Sequence, residues 1–114
     1  NPHLCYSNRG SSFTSLGQMD KALADFTRAI QIKPDDTDPY FNRANIYLRL
    51  GQYPLAISDL DVVLRLNNRD TVSLYNRGIA KQLAGDAASG CADLQQAVTM
   101  KFSPAVNAYN KYCR

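Results

Sequence analysis

Apolar residues recur along this chain at helical spacing, and the arrangement returns every 34 residues. Leu23, Phe26, Ala29 and Ile30 form one stripe, and Ile57, Leu60, Val63 and Leu64 form the next. Steps of three and four place such residues on one face of an α-helix. The pattern predicts paired helices, A and B, in three units: about 3–16 with 19–32, 38–50 with 53–66, and 71–84 with 87–100. Gly17, Gly51 and Gly85 end the A helices, where a left-handed residue is needed and glycine adopts it at least cost. Asp35-Asp36-Thr37 and Asn67-Asn68-Arg69-Asp70 separate the units and offer N-caps, and Pro34 cannot extend the first B helix.

Other columns keep the same step. They are Asn8, Asn42 and Asn76; Arg9, Arg43 and Arg77; Ala22, Ala56 and Gly90; and Asp25, Asp59 and Asp93. Self-similarity at this period is the signature of a stacked helical solenoid, an architecture that presents an extended binding surface. The small residues Ala22, Ala56 and Gly90, with Gly10, Ala44 and Gly78 opposite, let the two helices of a unit approach, and Phe26, Leu60 and Leu94 follow one turn later. A seventh helix is expected after residue 103, with Ser103 as N-cap, Pro104 as first helical residue, and Val106, Tyr109 and Cys113 on one side. The predicted fold is therefore all-α: an α-solenoid of three helix-turn-helix repeats (3–36, 37–70, 71–104), closed by a C-terminal capping helix over 104–114. The N-terminal end carries no such cap.

At 114 residues and 45% hydrophobic the chain can bury one continuous core. A net charge of +3 with scattered Lys and Arg lacks the basic stripe that nucleic acid requires, so nucleic acid is not an expected partner. No run of about 18 apolar residues exists to span a membrane. The chain opens on Asn1-Pro2 almost inside the first unit and reads as a cut fragment or a processed form.

The columns resemble the tetratricopeptide repeat family. Its pattern is met in the first unit by Tyr6, Gly10, Phe13, Gly17, Ala22, Phe26, Ala29 and Pro34. The second unit answers with Tyr40, Ala44, Tyr47, Gly51, Tyr53, Ala56, Leu60 and Val63, with Asn68 in the proline slot. The third has Leu74, Gly78, Lys81, Gly85, Gly90, Leu94 and Ala97, with Phe102 in that slot. The resemblance implies a right-handed superhelix whose A helices line a concave groove for a peptide or a partner's helix. Chaperone-adaptor members hold a C-terminal carboxylate with Lys, Asn, Asn, Lys and Arg. The matching positions here are Ser7, Ser11, Asn42, Val72 and Asn76, so only Asn42 fits that clamp.

The inward A-helix positions give the candidate partner-binding residues: Asn8, Ser11, Phe41, Asn42, Asn45, Arg49, Tyr75, Asn76, Ile79 and Gln82. Amides can donate to and accept from an extended backbone, and Phe41 and Tyr75 offer apolar anchors. The expected function is a non-enzymatic protein–protein interaction module. The alternative is an assembly module that packs on further repeats, or on another copy, through its uncapped N-terminal end.

The Arg/Asp columns read as a structural ladder of ion pairs. Asp25 has Arg9 or Arg43 within reach of the repeat, and Asp59 has Arg43 or Arg77, with Asp93 completing the set. Cys91 and Cys113 meet at one end if the last two helices fold back with equal arms near Phe102-Ser103. Resemblance to exported bacterial repeat proteins ending in Gly-Cys…Tyr-Cys supports a disulfide there, the other reading being a buried cysteine beside an exposed one. A disulfide implies a periplasmic or secreted setting, and free thiols a cytoplasmic one. Cys5 is left over, packed or accidental. His3 is the only histidine, so no metal site, cofactor or acid–base pair is expected.

Overall fold

A computed structural model describes all 114 residues. It contains seven helices: α1 (Pro2–Ser15), α2 (Met19–Ile32), α3 (Thr37–Arg49), α4 (Tyr53–Leu66), α5 (Thr71–Ala84), α6 (Ala87–Thr99) and α7 (Ser103–Cys113). Each helix packs on the next, and α1 also touches α3 while α5 touches α7. The stack is elongated, 44 × 24 × 21 Å, as expected when each unit contacts only its neighbours.

The three A-to-B turns are alike. Gly17, Gly51 and Gly85 take φ of 78°, 74° and 96°, and the next residue's N–H reaches back to the carbonyl of Phe13, Tyr47 or Lys81 at 2.8–2.9 Å. This closes the helix C-terminus with a left-handed residue. Asp36 and Asp70 cap α3 and α5, accepting from the N–H of Asp38 and Ser73 at 3.2 and 3.1 Å.

The close approach within a unit has a measurable cause. A Cβ on Gly10 would sit 2.9 Å from the Phe26 ring. One on Gly78 would sit 2.9 Å from Leu94 Cγ and 3.0 Å from the Gly90 carbonyl oxygen. Phe26, Leu60 and Leu94 are fully buried against these small residues. The core is a row of clusters, one around Ala22, Phe26 and Ile46, one around Ala44, Ala56 and Leu60, and one around Leu64, Leu74, Ala97 and Ala105.

The C-terminal end departs from expectation in two ways. The N-cap of α7 is Phe102, not Ser103. Lys101 takes a left-handed φ of 66° and the Phe102 N–H bonds the Ala97 carbonyl, so the chain has already reversed when Ser103 is reached. The packed side of α7 is also not the one carrying Val106. Ala105 and Ala108 are buried and Val106 is exposed, because Phe102 turns inward against Tyr75 (ring centroids 5.5 Å apart) and sets the helix roll. Tyr112 occupies the column of Gly10, Ala44 and Gly78. Cys91 and Cys113 are joined, with Cα atoms 5.8 Å apart, which fastens α7 to α6. Cys5 is exposed rather than packed.

Candidate functional site

The Arg/Asp columns form the most regular polar feature. Each arginine takes the aspartate 16 residues later, on the B helix of its own unit, through a two-pronged contact from Nε and Nη2. The distances are 2.8 and 2.8 Å for Arg9–Asp25, 2.8 and 2.7 Å for Arg43–Asp59, and 2.7 and 2.9 Å for Arg77–Asp93. Such paired bonds are short and directional. The bond to aspartate is the main reason that all three guanidinium pKa values lie above their ordinary value.

The remaining nitrogen, Nη1, reaches back to the preceding unit. Arg43 donates to Thr27 Oγ1 at 3.1 Å and Arg77 to Asp61 Oδ1 at 2.9 Å. Thr27 and Asp61 escaped the sequence reading, although they too stand 34 residues apart and 16 before an arginine. Lys81 was also missed; it lies 3.0 Å from Asp93 and donates to Ser89 Oγ at 2.8 Å. These arginines are therefore spent on holding helices together.

The candidate binding residues divide by environment. Ser11, Asn42, Asn45 and Arg49 come together with Thr14 around a depression of about 140 Å³ floored by Phe26 and Ile46, between α1 and α3. Tyr75 and Ile79 line a second depression with Pro104, Asn107, Lys111 and Tyr112, between α5 and α7. The contribution of α7 to that surface was not foreseen. Asn76 Nδ2 donates to Asn45 Oδ1 at 3.3 Å and so links α5 to α3. Gln82 Nε2 is committed to the Ala87 carbonyl at 2.9 Å and Cys91 Sγ at 3.0 Å. Phe41 packs against the Ala44–Leu60 cluster, and Tyr75 against that of Leu64 and Leu74. Asn8 is exposed and lines neither depression. Of the clamp positions, Ser7 is buried, Asn76 is bonded to Asn45, and none is a cation. His3 Nε2 lies 3.9 Å from Asp36 on α3's N-terminus.

Comparison with known proteins agrees with this architecture. The sequence matches the TPR repeat over residues 10–51 and the tetratricopeptide repeat over 37–70. No curated protein sequence matches the chain. Among solved structures it is similar to the first TPR of Spaghetti (RPAP3) bound to the HSP90 peptide SRMEEVD, with TM-score 0.90, 24% identity, and coverage of 97% of this chain and 90% of that one. It is also similar to the second TPR domain of human RPAP3 in complex with the HSP70 peptide SGPTIEEVD, at TM-score 0.91, 23% identity and coverage of 100% and 99%. A third likeness is the TPR2B domain of yeast Sti1 in its pHsp70 complex, at TM-score 0.88, 19% identity and coverage of 97% and 95%. These likenesses give the all-α repeat fold, and the two overlapping sequence matches together run from residue 10 to 70, more than half of the chain. The chain belongs to the tetratricopeptide repeat family.

Proposed function

We propose that this chain is a non-enzymatic protein-interaction module that holds an extended segment of a partner protein along α1, α3 and α5. The observation that carries this reading is the depression of Ser11, Thr14, Asn42, Asn45 and Arg49 over the apolar floor of Phe26 and Ile46. Hydroxyls and amides serve both polar groups of a peptide backbone, the floor accepts a small apolar side chain, and Arg49 offers an uncommitted cation at the rim. The depression beside Tyr75 and Ile79 adds an apolar contact with Lys111 at its edge. The surface offers amides, hydroxyls and cations rather than an activated nucleophile. The solved relatives that carry bound peptides support peptide capture as the class of function.

The ligand differs from those peptides. Their acidic ends need cations at positions that are Ser7, Val72 and Asn76 here. SRMEEVD therefore leaves this chain unoccupied at concentrations up to about a hundred micromolar, a Kd that corresponds to roughly −5.5 kcal/mol. The test is to pan a displayed peptide library on the immobilised chain and re-measure the enriched peptides against the double variant Asn42→Ala with Arg49→Ala. Neither side chain is buried in the core, so the helical circular dichroism stays. Capture falls at least tenfold in the double variant. Undiminished capture, or tight binding of SRMEEVD, overturns the reading.

A further inference from the structure

The two depressions along the A helices differ in size but share a chemistry. The one between α1 and α3 is small, about 140 Å³, with Phe26 and Ile46 as its floor, the Asn42 amide in its wall and the exposed Arg49 at its rim. The one between α5 and α7 is larger, about 390 Å³, with Tyr75, Ile79 and Tyr112 around it, the Asn107 amide in its wall and the exposed Lys111 at its rim. Its width has a cause in the sequence. Ala108 stands in the column of Tyr40 and Leu74, so a methyl group replaces a ring or a branched chain. Neither Arg49 nor Lys111 pairs with a carboxylate of the protein, and the Lys111 ammonium lies only over the ring of its neighbour Tyr112, at 5.2 Å. Neither cation stands at a position that matches the chaperone-adaptor clamp. Between the depressions, Asn76 Nδ2 bonds Asn45 Oδ1 at 3.3 Å and Phe41 packs down on the Ala44–Leu60 cluster, so this stretch presents bonded amides.

We propose, resting on the groove reading above, that the partner segment is two-pronged. A small apolar residue beside an acid enters the α1–α3 depression, and a bulky apolar residue beside a second acid enters the α5–α7 depression. The spacing follows from helix packing. Adjacent helices lie about 10 Å apart, and the two depressions are two A-helix steps apart, so the anchors are separated by roughly 20 Å. An extended chain advances about 3.3 Å per residue, which puts about six residues from one anchor to the other. Each acid meets a cation that has no other partner, and the wall amides serve the backbone beside each anchor. Rim charges in water add little energy, so Arg49 and Lys111 select the sequence, while the two linked apolar anchors supply the affinity. The unequal volumes fix which anchor goes where. In SRMEEVD the apolar Met and Val are only three residues apart, too close to fill both depressions.

The probes are synthetic peptides with Asp-Val at one end and Phe-Asp at the other. One, three, five, seven or nine serine and threonine residues join the pairs, and each peptide is made in both chain directions. They are titrated into the full chain and mapped by amide chemical shifts. The expected optimum is five joining residues in one direction, with shifts around both Asn42 and Tyr75. That peptide binds at least about tenfold more tightly than the versions with one or nine joining residues, or with either apolar anchor changed to glycine. The variant Lys111→Met abolishes the preference for aspartate over asparagine beside the phenylalanine and leaves that beside the valine; Arg49→Met does the reverse. Both side chains are exposed, and an unchanged helical circular dichroism certifies each fold. Equal affinity at every spacing, an optimum at one or nine joining residues, or no gain from the second anchor overturns the proposal. Shifts confined to Ser11, Asn42 and Arg49 overturn it while leaving the groove reading in place. Shifts at neither depression with millimolar peptide also overturn it, and the panned peptides decide separately whether the groove binds at all.

Discussion

Replacing Asp59 by alanine strips Arg43 of both bonds that hold its fork, at 2.8 and 2.7 Å. The guanidinium cannot then swing into water, because only 18% of the side chain is exposed and α2 lies over it through Thr27. Orphaning one member of a buried pair costs about 3–5 kcal/mol, and the surviving bond to Thr27 argues for the lower end, about 3. At about 2.1 cal/mol/K per residue, a chain of this length loses roughly 4 °C of melting temperature per kcal/mol, so Asp59→Ala melts about 12 °C below the parent. Thermal circular dichroism measures this directly. Asp25→Ala is the internal comparison. Its partner Arg9 is 60% exposed and can rehydrate, so the drop is distinctly smaller. The arginines' raised pKa values contribute stability that is full below the ordinary guanidinium value and is lost only as pH climbs through the raised one. They therefore add no slope near neutral pH. A melting temperature within 2 °C of the parent for Asp59→Ala (under roughly 0.5 kcal/mol), or equal losses for Asp25→Ala and Asp59→Ala, refutes the argument that burial of the orphaned cation sets the cost.

Gly78→Ala gains about 1 kcal/mol of helix propensity, but its Cβ meets Leu94 Cγ at 2.9 Å and the Gly90 oxygen at 3.0 Å, and because a backbone atom cannot yield the overpacking costs about 3 kcal/mol, leaving the variant roughly 2 kcal/mol less stable. A denaturant midpoint at or above the parent's contradicts this. Denatured under non-reducing conditions, the chain titrates one thiol, Cys5, and three after reduction; reduction also lowers stability by about 3 kcal/mol, the loop-entropy value for a separation of 22 residues. The hydrogen bond from Lys33 holds the Asp35 carboxyl below its ordinary range. Whatever stability this exposed pair adds is present above the ordinary carboxylate value and fades as pH falls through the lowered one. Lys33→Met moves the Asp35 carboxyl titration, followed by carbon NMR, to higher pH.

Repetition explains what could be read in advance and what could not. The helix spans follow from apolar stripes and turn glycines, features set by neighbours three or four residues away, and the structure moves their ends by no more than one residue. The Arg/Asp ladder was ambiguous because a solenoid places each aspartate near two arginines; only the relative roll of α1 on α2 and of α3 on α4 decides for the one 16 residues earlier. The face of α7 was misjudged for a related reason. Its orientation depends on Phe102 entering the Leu64–Leu74 cluster and on a left-handed Lys101, neither of which periodicity announces. The candidate groove was the least legible part. Whether Gln82 or Asn76 faces a ligand depends on whether a neighbour has already claimed its amide, and here Ala87, Cys91 and Asn45 do so.

The single cross-link makes the stack mechanically directional. The last seam is clamped by a covalent cross-link and by Phe102, while α1 is held on α2 and α3 by non-covalent contacts alone. In a quasi-one-dimensional array local opening starts at an end, and the cross-linked end resists it, so in these 114 residues fraying proceeds from α1 toward α7. The depression built from Ser11, Thr14, Asn42, Asn45 and Arg49 bridges α1, at the end without a cross-link, and α3. A ligand seated there acts as a latch on α1, and slower amide exchange in residues 2–15 is how its arrival registers.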